Sequence, residues 1–149
     1  HLIIPSHRKA KPMLVERIPL TEFHARLESQ GVSSREHRAV KCPICGTVQS
    51  IASLIGAGDA PELAINHIGF SCEGRISKAG PWPAEKDESK AAKARRLVRG
   101  CDWSLGGLFK LHQVVVVMDD GSEIPVFAPA TTEEAQELER AITHHKATA

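Results

Sequence analysis

Lys41-Cys42-Pro43-Ile44-Cys45-Gly46 is the stretch that decides how this chain is held together. A Cys-x-x-Cys turn places two sulfurs on one side of a tight loop, near enough to share one tetrahedral metal ion. Gly46 lets the backbone turn left-handed, which aims N–H groups at the thiolates. Two more cysteines stand far downstream, in Cys72-Glu73-Gly74 and in Gly100-Cys101. Four thiolates close a zinc shell and leave no open position for a substrate. The pattern therefore predicts a structural Zn2+, one per chain, held by Cys42, Cys45, Cys72 and Cys101.

The second pair departs from the usual C-x2-C…C-x2-C arrangement. It requires a strand over Ile68–Cys72 and a later turn to converge, stapling the middle of the fold across two long connections. His67, five residues before Cys72, is an alternative fourth ligand. Two other readings compete. Cys42-Pro43-Ile44-Cys45 resembles a glutaredoxin-type active site, where a helix N-terminus activates the first thiolate. No well-formed strand precedes it, however, and no βαβ pattern surrounds it. The cysteines can also be plain buried thiols.

Composition narrows the function classes. The chain has 149 residues, 42% of them hydrophobic and 25% charged, enough for one domain with a core of its own. With no Tyr, four Phe and two Trp, rows of stacking aromatics for single-stranded nucleic acid are not expected. A formal net charge of +1 exerts no global pull on nucleic acid or acidic membranes. The longest apolar run, Val114–Met118, is far too short to span a bilayer and reads as a strand. Arg8, Lys9 and Lys11 are not followed by an apolar stretch and a small-residue cleavage site, so no signal peptide is expected. A reducing cytoplasmic compartment follows as the expectation, where such cysteines are metal ligands more often than disulfides. Residues 1–12 read as a tag remnant or disordered extension, ahead of one zinc-binding domain over residues 13–149.

Along the chain, Thr21 is placed as the cap of a short helix running to Gln30, with Leu20, Phe23 and Leu27 on one side and Gly31 as its stop. Val48, Ile51, Leu54 and Ile55 predict a second helix ended by Gly56-Ala57-Gly58. Asp59-Ala60-Pro61-Glu62 reads as an N-cap with proline in the first turn of a third, ending near Asn66. A loop is expected from Gly74 to Lys90, and Ser104 as a cap on a glycine-weakened helix. Leu111–Met118 and Glu123–Ala128 flank Asp119-Asp120-Gly121-Ser122, a hairpin signal. Thr131 and Glu134 form a capping box for a last helix to His144.

Other sites are weaker. Lys86, Lys90, Lys93, Arg95, Arg96 and Arg99 form a basic run over 86–99 of the kind that contacts phosphates, with Glu85, Asp87 and Glu88 diluting its leading edge. Eight histidines and Cys101-Asp102 can in principle furnish a Cys/His pair. No Gly-x-Ser-x-Gly, His-Glu-x-x-His or phosphate loop is present, and His1, His7, His24, His144 and His145 fall in no constellation.

Cys42 to Ser50 (Cys-Pro-x-Cys-Gly-x-Val-Gln-Ser), Gly69-Phe70-Ser71-Cys72-Glu73-Gly74-Arg75 and Gly100-Cys101-Asp102-Trp103-Ser104-Leu105-Gly106-Gly107-Leu108-Phe109 together resemble a family of small phage- and prophage-encoded proteins without assigned function. The likeness extends to Asp120-Gly121 and Phe127–Thr131, over about residues 20–140. It implies phage origin and a shared four-cysteine core, with no reaction attached.

The expectation is a small α+β domain built around a zinc-knuckle-like site, with a C-terminal β-hairpin and helix packed on it. The expected function is that of a non-enzymatic binding protein of phage or prophage origin. It would act in the cytoplasm of a bacterial host through a protein partner, as a host or defence-system modulator. A nucleic-acid-binding accessory role for residues 86–99 is the alternative, and an enzyme the third.

Overall fold

Val114-Val115-Val116-Val117 forms strand β4 at the centre of one three-stranded sheet, and Val114, Val115 and Val116 are all buried, so both faces are covered and a continuous valine run is what burial selects. Our computed structural model describes residues 15–81, 99–104 and 113–148, with side chains through residue 144. The segment 1–12, the basic run apart from Arg99, and the helix expected after Ser104 lie outside these residues. On one side β4 pairs in parallel with β1 (Glu16–Pro19), a strand that sequence reading did not place. On the other it pairs antiparallel with β5 (Glu123–Val126). The connection is tightened by Gly121 at φ +88° and by Asp120, whose carboxylate accepts from the Ser122 N–H at 2.9 Å and hydroxyl at 2.6 Å.

The second sheet has the order β3-β2-β6, with β2 at Ala39–Lys41, β3 at Val48–Ser50 and β6 at Ala128–Pro129. Five helices accompany the sheets among the described residues. The first, α1 (Leu20–Glu28), begins two residues earlier than expected, and Pro19 rather than Thr21 occupies its cap position. A 3-10 turn over Arg35–His37 lies between α1 and β2. Helix α2 (Ile51–Gly56) is entered through a capping box in which Ser50 and Ser53 satisfy each other's backbone N–H, and Val48 belongs to β3 instead. Helix α3 (Pro61–His67) starts with proline as expected, but Asp59 does not cap it.

Ile68–Cys72 is not a strand. Residues 68–70 turn, Ser71 makes an isolated antiparallel bridge with Ser104, and Cys72 is the N-cap of a short helix α4 (Glu73–Ser77) inside the expected loop. The final helix α5 spans Thr132–Thr148, and its Thr131/Glu134 capping box is formed by bonds of 2.9 and 3.1 Å.

Two small cores result. Val40, Cys42, Cys72, Cys101 and Phe127 make one, with Trp103 stacked on Phe127 at 5.8 Å between ring centroids. Ala39, Ala130 and Ala135 make the other, closing α5 onto the second sheet. The buried amide of Gln30 ties this second core together: it bonds both backbone groups of Ala39 at 2.8 Å and donates to the Ala130 carbonyl at 3.0 Å.

Candidate metal centre

The first two sulfurs sit on the turn between β2 and β3. The Cys42 N–H donates to the Thr47 carbonyl at 3.0 Å and the Gly46 N–H to the Cys42 carbonyl at 2.9 Å, with Gly46 at φ +74°. The other two are brought in by a close backbone approach. The Cys72 N–H donates to the Trp103 carbonyl at 3.0 Å, so the 71–74 and 100–104 segments lie against each other. Where they meet, Gly74 faces Gly100. A Cβ on Gly74 would stand 2.2 Å from the Cys101 nitrogen, and one on Gly100 would stand 2.6 Å from Gly74 Cα. Gly100 also holds φ +88°. The glycines beside Cys72 and Cys101 are thus the condition for these two cysteines to meet at all.

All four sulfurs lie within 4.8 Å of one another. Cys42 and Cys101 are 3.8 Å apart, Cys45 and Cys72 3.7 Å. A tetrahedral zinc with bonds of about 2.3 Å sets its sulfurs about 3.8 Å apart, whereas a disulfide needs about 2.05 Å. The four cysteines are positioned to hold one metal ion, at spacings compatible with zinc. These two contacts join the first turn to the second half-site, as one shared ion requires.

The surroundings fit thiolates. The Cys101 N–H donates to Cys72 Sγ at 3.2 Å. The Cys45 thiol donates to Thr47 Oγ1 at 3.1 Å and the Gly100 N–H donates to the same oxygen at 2.9 Å; with Cys45 as a thiolate the hydroxyl's own proton serves the sulfur. Taken as thiols, the four divide. Cys45 and Cys72 are held below the ordinary thiol value, each first by Cys101. Cys101 is pushed well up, first by Cys42. Cys42 is also raised: contact with Cys101 lowers it, but Cys45, Cys72 and burial outweigh that. Four sulfurs this close cannot all ionise without a cation between them.

Gln49 supports the centre from beneath and was not singled out from sequence. Fully buried, its Nε2 donates to the carbonyls of Ile68 and Ser71, both at 2.9 Å, and its Oε1 accepts from the Glu73 N–H at 2.6 Å. One side chain therefore anchors the loop that carries Cys72 and satisfies the first donor of α4. Its signal was its place in the Cys-Pro-x-Cys-Gly-x-Val-Gln-Ser string.

The match to known proteins falls on this architecture. Residues 19–130 match the VVA0879-like family. The chain belongs to that family. The matched span holds all four cysteines, Gln49, Gly74 and Gly100 and ends before α5. The family's description names no activity or ligand. No curated protein and no solved structure matches the chain.

His67 is not part of this centre. Its Nδ1 bonds Asp59 Oδ2 at 2.8 Å, which ties the start of α3 to its end, and the cluster of metal-ligating groups there consists of the four sulfurs. Arg99 is also committed elsewhere. Its guanidinium grips the buried Glu73 carboxylate in a two-pronged pair of 2.6 and 2.9 Å and donates to the Val48 carbonyl. No described helix is long and apolar enough to cross a membrane.

Proposed function

We propose that this is a non-enzymatic, zinc-stabilised protein-binding module of phage or prophage origin. It acts in the cytoplasm of a bacterial host through a protein partner, as a modulator of host or defence processes. The observation that carries the reading is the closed donor set: Cys42, Cys45, Cys72 and Cys101 satisfy a tetrahedral ion and leave no open position. An ion so enclosed contributes folding energy rather than chemistry. The motif resemblance supplies the origin. The nucleic-acid reading of residues 86–99 gains nothing from Arg99, which Glu73 already holds.

Two measurements test this. Elemental analysis of purified protein is expected to find one zinc per chain, with the thiols protected in the native state. Affinity capture from host extract, run with and without nuclease, is expected to retain a protein that nuclease and moderate salt do not release. A capture lost to nuclease, or falling steeply with salt, hands the function to nucleic acid. Metal-free protein with four freely titrating thiols sinks the zinc assignment.

A further inference from the structure

A cleft of about 690 Å³ opens beside the metal core, between α1, the 3-10 turn, the end of α3 and β5. Its floor is made by Phe23, Leu27, Val40 and Ile68, residues that also pack against the cysteine cluster. Three of the largest exposed apolar side chains of the described residues line it: Ile65 at 58% exposure, Ile124 at 45% and Phe70 at 44%. Apolar surface gathered in one concavity marks a contact site more surely than the same residues scattered singly. At the rim stand Arg35 and Arg38, and no described residue makes a hydrogen bond or ion pair with either guanidinium. Among the described residues Glu28 is the one carboxylate lining the cleft, against the two guanidinium groups, so the lining is net basic.

We propose that this cleft is the docking site for a partner protein segment that offers apolar side chains together with carboxylates. The proposal rests on the protein-binding reading and names the partner's chemistry. The apolar floor and wall take the anchors, and Arg35 and Arg38 take the carboxylates in the bidentate geometry a guanidinium provides. β5 is an edge strand, but Pro125 removes a backbone donor there, so the segment docks by side chains rather than by adding a strand. A second copy related by a two-fold axis would set this patch against itself, and a lining with Arg35 and Arg38 but Glu28 alone is not self-complementary in charge. Phosphates would find two arginines over an apolar floor, a poor match to a nucleic-acid backbone.

The test is selection from a display library of random peptides on the zinc-loaded full chain, counter-selected against Phe70→Ser/Arg38→Glu. Phe70 is exposed and the Arg38 guanidinium has no described partner, so the variant is expected to keep its zinc and melting temperature. The expected result is enrichment of peptides combining Leu, Ile or Phe with Asp or Glu. Their affinity should fall at least about tenfold in Phe70→Ser and in Arg38→Glu. Changing their acids to Lys should abolish binding to the wild type and partly restore it to Arg35→Glu/Arg38→Glu. Enrichment that ignores the cleft variants, or that favours basic or uncharged peptides, overturns the proposal. So does a dimer that Phe70→Ser dissociates, or peptide displacement by duplex DNA. If host-protein capture survives both cleft variants, the protein-binding reading stands and this site falls alone.

Discussion

Glycine 74 shows how much one missing methyl group can decide. Its Cα position lies so near the Cys101 backbone that Gly74→Ala must separate the two half-sites. We expect Gly74→Ala to lose the metal and more than about 3 kcal/mol of stability. Gly56→Ala is the control: nothing lies within 4 Å of its added Cβ, so it should be neutral or stabilise by about 0.4–1 kcal/mol. Metal content and melting temperature read both. A Gly74→Ala protein that keeps its zinc would show that the half-sites do not depend on this contact. Cys72→Ser or Cys101→Ser should likewise forfeit the ion, a loss comparable to the ~5–15 kcal/mol total stability of a typical domain. Gln49→Ala should cost about 2–4 kcal/mol, since it strands two carbonyls and an N–H in the interior.

At the scale of elements, the short helix α4 is held from both ends of the chain around it. Gln49 from β3 satisfies its first N–H, and Arg99 neutralises its buried Glu73, whose side chain is 7% exposed while that of Arg99 is 43% exposed. Sequence reading placed Arg99 in the basic run over 86–99, whereas its guanidinium is held by Glu73. Arg99→Ala should lower stability by about 1–3 kcal/mol, less than for a fully buried pair because water reaches the guanidinium. Adding Glu73→Gln should recover part of the loss, since the stranded charge goes with it. Thermal melts of the single and double variants check this, and equal losses in both would sink it. At α5, Thr131→Ala should cost about 1 kcal/mol through the lost cap.

For the whole molecule, acid is the natural probe. Binding a metal requires thiolates, and Cys42 and Cys101 hold their protons above the ordinary thiol range when no cation offsets the charge. Protons therefore compete with the ion more strongly as pH falls. Zinc release, followed with a chromogenic chelator, should rise on acidification and bring a loss of tertiary structure with it. Carboxylates act in the same direction. Glu134, lowered first by Lys41, and Glu139, lowered first by Ser33, stabilise the fold above the ordinary carboxylate value. That contribution goes as pH falls through their lowered values. Zinc released at about pH 4 with the tertiary structure unchanged would contradict the coupling of metal to stability.

The sequence by itself determined the local parts of this protein. The Cys42–Cys45 turn, the proline-started α3, the turn at Asp119–Ser122 and the Thr131/Glu134 cap are written in residues within a few positions of each other. Each follows from backbone preference and short-range hydrogen bonding. That Cys72 and Cys101 belong with the first pair was also legible, from thiol chemistry and their neighbouring glycines. Only the tertiary structure decided the rest. β1 is four residues long and pairs in parallel with a strand nearly a hundred positions away, so no local pattern announces it. Cys72 caps a helix instead of ending a strand because Gln49, more than twenty residues earlier, supplies the partners a strand ladder would have supplied. His67 and Arg99 leave their expected roles because Asp59 and Glu73 reach them first in space. Long-range pairing of buried polar groups is settled by which partners the packed backbone brings within about 3 Å, and a linear string does not contain those distances.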